Sequence, residues 1–217
     1  MGQVDPVYAV TALIVIFFGI GLHEYAHCKV ADSAGDPTPS FYGRVTLNLF
    51  KHFDPMGTVM IVVTTLTGFG IGWGKPAPMD PSKMRNPRWD FFMAVAAGPM
   101  CNFLQAVIYA IILRLLLASH SSLLEVKFIY LLLLNGVLIN ISLMYFNLIP
   151  LGPLDGHWLV GLLMPEKPRH YWYIWNRTTG LFVLFGIILL GNLTSYNVLS
   201  KVLVPPVMAT LRLLLGW

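Results

Sequence analysis

His23-Glu24-Tyr25-Ala26-His27 places two imidazoles four residues apart, with a carboxylate beside the first. On an α-helix, positions i and i+4 share a face, so both rings can reach one zinc ion while Glu24 turns toward a neighbouring water. A catalytic zinc takes three protein ligands and leaves a position open, so a third donor is required. Asp5, Asp32, Asp36, Asp54, Asp80 and Asp90 lie in polar connections. Asp155 differs, because it follows Pro150-Leu151-Gly152-Pro153-Leu154 and precedes Gly156. Those prolines and glycines break a helix and free the backbone to aim a carboxylate inward. Taken alone, an Asp before Gly is an ordinary turn residue, and a bare HExxH also arises by accident in soluble helices.

The elements that must position these residues are membrane elements. Of 217 residues, 56% are hydrophobic and only 11% charged, a composition that a soluble domain of this size does not need. Spanning helices require about 20 apolar residues. Such stretches run from about residue 7 to 30, 91 to 117, 126 to 149 and 178 to 190, and a last, shorter one from 202 to 217 is interrupted at Pro205-Pro206. Asp5 and Pro6 form a cap and first turn for the first helix. The opening residues MGQVDPVYAV lack the basic region of a cleavable signal, so this helix is expected to be retained. Inside a span each ionisable residue costs about 2.5 to 3.5 kcal/mol on translocon scales. Two histidines and a glutamate buried together therefore point to function.

Sharing one metal also fixes a parity. His23 and His27 lie near the end of the first helix and Asp155 beyond the third, so an even number of crossings must separate them. The 91–117 and 126–149 helices supply two. The 56–73 stretch, rich in Thr and bent at Gly68, Gly70 and Gly72, is thus expected to dip in and return. Glu125 then falls on the opposite face. The metal side would hold Lys29, Arg44, Lys51, Lys75, Lys83, Arg85, Arg88, Lys167, Arg169 and Arg177, against Lys127 and Lys201 on the other. Cytoplasmic loops carry the Lys/Arg excess, which puts the metal side in the cytoplasm and the N-terminus outside. Tyr171, Trp172, Tyr173 and Trp175 fit an interfacial aromatic belt. The net charge of +4 is a topology signal, and nucleic acid is not an expected partner.

HEYAH on the first span, Ala97-Gly98-Pro99-Met100-Cys101-Asn102 on the second and Asn147-Leu148-Ile149-Pro150-Leu151-Gly152-Pro153-Leu154-Asp155-Gly156 after the third resemble, in order, the site-2 protease family of intramembrane zinc metalloproteases. The similarity extends over about residues 10 to 160. GRVTLN, DPMGT and WGKPAP between residues 41 and 90 resemble its compact members without regulatory domains. The resemblance implies one zinc per chain held by His23, His27 and Asp155, with Glu24 as general base and Asn147 as a donor lining the site. It also implies hydrolysis of peptide bonds in or near transmembrane segments. A substrate helix must be unwound first, and Gly74, Lys75, Pro76 and Ala77 are the expected edge for the unwound stretch, since flanking prolines keep it unpaired.

The expected architecture is thus an all-α polytopic membrane protein with about five transmembrane helices, a re-entrant segment and short cytoplasmic-side β-strands, the last within FYGRVTLNLF. It forms a single domain, with a catalytic core over about residues 7 to 160 and C-terminal helices beyond. Expected partners are a transmembrane protein substrate and membrane lipid, with a second copy or a regulatory membrane protein as further candidates. An inactive scaffold of this fold and a metal or ion transporter remain the alternatives. Cys28 and Cys101 read as small buried hydrophobes. Gly19 and Gly21 read as packing positions, His52, His120 and His170 as solvated or interfacial, and His157 as interface packing.

Overall fold

The computed structural model describes residues 5–194 and 197–216. Residues 1–4, part of the N-terminal stretch read above, and Trp217, the end of the last apolar stretch, lie outside the described residues. The chain folds as α1 (Pro6–Ser33), α2 (Thr38–Phe41), α3 (Pro55–Thr67), α4 (Trp89–Ala118), α5 (Lys127–Asn147), α6 (Asp155–Leu163), α7 (Glu166–Trp175), α8 (Leu181–Leu193) and α9 (Val198–Leu215). A π-helical turn over Asn176–Gly180 joins α7 to α8 without a break.

Local chemistry sets the helix ends. Asp5 caps α1 by accepting from the Val7 N–H at 3.1 Å, with Pro6 at the first position, where its missing N–H costs nothing. Asp54 and Pro55 repeat the arrangement for α3, which Gly68 ends in the left-handed region at φ +71°. At 13 residues α3 is about 20 Å long, short of the about 30 Å hydrocarbon core.

Among the described residues, five helices are long and apolar enough to cross a membrane: Pro6–Ser33, Trp89–Ala118, Lys127–Asn147, Glu166–Gly191 and Val198–Leu215. α1, α4 and α5 make the central bundle, with neighbours antiparallel where the chain turns. An ion pair between Lys127 and Asp5 joins the starts of α5 and α1 at one end. At the other end the close of α1 meets the opening of α4, where the His27 Nδ1–H donates to the Ala94 carbonyl at 2.8 Å. Buried polar side chains bridge the bundle: Asn135 donates to Thr11 at 2.9 Å and Asn102 to the Asn140 side-chain oxygen at 3.0 Å. A layer of Leu113, Val137, Ile141, Val207 and Leu211 adds α9 to α4 and α5. Leu104, Ile108, Ile111 and Leu115 leave an exposed apolar stripe along α4.

Three expectations need correction. No β-strand forms among the described residues. Within FYGRVTLNLF, Phe41 closes α2, Gly43 turns at φ +62°, and Leu49 opens a 3-10 turn to His52. The Thr46 hydroxyl accepts from the Asn48 N–H at 3.2 Å, a local bond that competes with strand pairing. An isolated bridge joins Phe53 and Gly74. Second, Pro205 and Pro206 do not interrupt the last apolar stretch, which is helical from Val198. Its cap is Asn197, whose side chain accepts from the Ser200 N–H at 2.9 Å.

The third correction concerns the expected 178–190 span. The helix starts further back, at Glu166, so Tyr171, Trp172, Tyr173 and Trp175 lie within it rather than ahead of it. Its start follows Met164, beside Arg88 at the opening of α4. Its far end, at Gly191, packs against Asn197 at the start of α9. From there Leu203 sits beside Ile20 and Leu143, and α9 runs away from the site until Arg114 of α4 reaches the Leu214 carbonyl at 3.4 Å. The 166–191 helix is long and apolar enough to cross a membrane, and its Leu181, Leu184 and Phe185 line the site's cavity.

Candidate metal centre and cavity

His23 and His27 stand one turn apart on the buried face of α1, and Asp155 meets them as the first residue of α6. The Nε2 atoms of the two rings are 3.0 Å apart, and Asp155 Oδ2 lies 3.2 Å from His23 Nε2 and 3.3 Å from His27 Nε2. These three residues form a candidate metal-ligand group among the described residues.

The surrounding hydrogen bonds fix where the protons are. A carbonyl only accepts, so His27 must carry its proton on Nδ1 to bond Ala94. Asn102 donates through its amide nitrogen to the Gly19 carbonyl and the Asn140 oxygen, both at 3.0 Å. Its own oxygen therefore accepts from His23 Nδ1–H at 2.7 Å. With each Nδ1 so engaged, both rings turn Nε2 toward one another and toward a carboxylate oxygen. Asp155 Oδ2 is buried and without a hydrogen-bond donor.

Two imidazole Nε2 atoms and a carboxylate oxygen held this close suit one shared cation. Tetrahedral zinc with ligands at about 2.0 to 2.1 Å separates them by about 3.3 Å, close to the spacing here. The residues fit zinc in type as well, two imidazoles and a carboxylate. Locking each ring through its other nitrogen is how proteins orient metal-binding histidines.

Glu24 lies beside the triad with its Oε2 buried and unpartnered. It lines a cavity of about 490 Å³ shared with His23, His27, Asp155, Asn147 and Asn102. Asn147 faces this cavity at the end of α5, where one amide N–H already donates to the Leu143 carbonyl at 3.0 Å. Of the expected substrate edge, Gly74, Pro76 and Ala77 line the cavity with Trp73, whereas Lys75 does not and its side chain is exposed. Leu181, Leu184 and Phe185 of α8 also line the cavity.

Two residues with large parts in this geometry had no role assigned from sequence. Asn102 orients His23, and Gly98 lets α4 approach: a Cβ at Gly98 would strike the His27 ring and lie 2.7 Å from His23 Cε1. Both stand in the AGPMCN motif, whose small-then-polar pattern was the available signal. Gly19 and Gly21 do serve packing, since a Cβ at either would come within 3.0 Å of Leu143 or Leu49. His157 packs against Trp158 with ring centroids 4.5 Å apart. His52 is fully buried rather than solvated or interfacial, because Thr46 and Arg44 supply its polar partners. Cys28 is buried and Cys101 partly so, both free.

Comparison with known proteins is consistent with this chemistry. No family model matches the chain, and no solved structure does so significantly. The chain is 35% identical over 196 residues to a Bacillus subtilis (strain 168) protein named "Putative zinc metalloprotease YwhC", covering 87% of this chain and 83% of that one. At that identity and coverage, the chain belongs to the family of the protein so named.

Proposed function

We propose that the chain is an intramembrane zinc endopeptidase of the site-2 protease type, cutting peptide bonds in or near the transmembrane segments of other membrane proteins. The observation that carries this reading is the convergence of three ligand atoms, His23 Nε2, His27 Nε2 and Asp155 Oδ2, beside an unpartnered Glu24 carboxylate oxygen, inside a bundle of membrane-length helices. His23, His27 and Asp155 would hold one zinc. When bound, zinc polarises a carbonyl and acidifies water.

The chain's own residues do the rest. Glu24 accepts the proton of the attacking water and returns it to the leaving amine. Asn147 offers its second amide N–H to the charge developing on the scissile carbonyl oxygen. Asn102 and the Ala94 carbonyl keep both imidazoles in the tautomer that leaves Nε2 bare. Gly74, Pro76 and Ala77 border an unwound stretch of substrate, with Lys75 set behind them. The apolar wall of Leu181, Leu184 and Phe185 suits a hydrophobic substrate segment.

Sidedness follows from charge. With α9 running from the site end outward, the Lys and Arg nearest the other end are Arg114, Lys127 and Arg212, out of 14 in the chain. Lys201, expected on the far face, belongs with the site-side group because it opens α9. The excess at the site end supports a cytoplasmic active site and an external N-terminus. A single integral-membrane domain, lipid contact and a membrane-protein substrate complete the reading.

Glu24→Gln tests it. Removing a positioned general base costs about 10² to 10⁴-fold, so cleavage of a transmembrane reporter should fall by that factor while bound zinc stays at one per chain. A transporter would retain flux in this variant, and a scaffold would show no cleavage even as wild type.

A further inference from the structure

Arg44 is a buried cation that the chemistry above does not use. It is 3% exposed and forms no ion pair among the described residues. Its guanidinium donates instead to two consecutive backbone carbonyls, Lys75 at 2.6 Å and Pro76 at 3.1 Å. Behind it stands His52, whose Nε2–H donates to the Thr46 carbonyl at 2.9 Å, leaving Nδ1 as an acceptor 3.5 Å from Arg44 Nε. Burial holds the His52 imidazole below its usual range, which keeps it neutral beside the guanidinium.

These contacts decide which way the next peptide group faces. The Lys75 N–H donates to the His52 carbonyl at 2.8 Å, and Phe53 pairs with Gly74 in an antiparallel bridge. With that bond between their neighbours, Phe53 and Gly74 are a non-hydrogen-bonded pair, whose own N–H and C=O groups point away from the partner. Gly74 therefore turns its peptide groups away from Phe53, and it lines the cavity. It sits against the catalytic helix: a Cβ there would meet Ile20 and lie 3.4 Å from Glu24 Cγ.

We propose that Arg44 is a positioning residue for the peptidase reaction: by gripping the Lys75 and Pro76 carbonyls it holds the peptide edge of Gly74 toward an extended stretch of substrate beside Glu24. The inference rests on the reading of the chain as a peptidase. It concerns substrate alignment and leaves metal binding and proton transfer to other residues. A planar fork with several donors can hold two successive carbonyls at once, whereas an ammonium acts as a single point charge.

The test uses the full-length protein in lipid vesicles with a transmembrane reporter peptide. Arg44→Met should raise KM about tenfold, the scale of a lost hydrogen bond to a charged group, with kcat and zinc content near wild type. Arg44→Lys, which keeps the charge and one donor, should recover part of the loss and decides the matter if the Met variant does not fold. In a Glu24→Gln background, cysteine cross-linking from Ala77→Cys to the reporter should weaken in step with KM. An unchanged KM and cross-link would overturn the inference while leaving the peptidase reading intact. So would a fall in kcat together with zinc loss, which marks a general structural role. If wild-type protein loaded with zinc cuts no transmembrane reporter, the peptidase reading fails and the role of Arg44 fails with it.

Discussion

On the metal-facing wall of the cavity, α1, α4 and α5 are tied by side-chain hydrogen bonds that run from helix to helix. On the opposite wall, residues 71–77 and the 166–191 helix are held by backbone contacts, one buried arginine and apolar packing. The first wall closes a chain of single-purpose bonds, Gly136 carbonyl to Asn140 to Asn102 to His23, in which every amide group has an assigned partner. The second is pinned at few points, among them the Asn176 side-chain oxygen accepting from the Gly152 N–H at 2.8 Å. The contrast separates two demands. Ligand geometry tolerates little displacement, whereas the substrate side must admit a peptide as wide as a chain and then release its pieces.

Substitutions on each wall should therefore fail differently. The largest effect is expected from Gly98→Val, because the added methyls have nowhere to go but the His27 and His23 rings. Misplacing catalytic groups by about 1 Å costs about a hundredfold, so cleavage should drop by that factor or more, with zinc content falling in parallel. Asn102→Leu fills the same space without the acceptor for His23 Nδ1–H. Loss of such a metal-orienting partner costs about 10 to 100-fold in metal affinity, to be read by zinc competition with a chelator. On the other wall, Asn176→Ala removes the bond to Gly152 and should lower stability by about 1 kcal/mol. Its zinc affinity should stay near wild type, and its cleavage rate should change only a few-fold. An Asn176 variant that lost zinc as readily as Asn102→Leu would erase the distinction between the walls.

How much of this could be read from residue order follows the same division. The His23, Glu24 and His27 cluster is a local pattern, fixed by the helix repeat, and Asp155 announces itself by the Pro/Gly break before it. Asn102 and Gly98 were visible only as part of a motif. Their roles depend on the register of α4 against α1, which no single segment encodes. Alternation over FYGRVTLNLF suggested strands, but a strand needs a partner, and Arg44 and Thr46 turn their hydrogen bonding elsewhere. Hydropathy marked the 178–190 stretch as apolar enough to cross. It does not record that the helix begins at Glu166, where polar residues and aromatics extend it ahead of the apolar run. His52 looked solvated because its buried partners, a carbonyl and a guanidinium, come from loop geometry rather than from its neighbours in sequence.

The most direct test of the central claim is an anomalous difference map at the zinc edge from crystals of the Glu24→Gln protein, grown without added metal. The account predicts one peak per chain, about 2.0 to 2.2 Å from His23 Nε2, His27 Nε2 and an Asp155 carboxyl oxygen. A peak that leaves Asp155 beyond bonding distance, or no peak in protein that assays as metal-loaded, would contradict it.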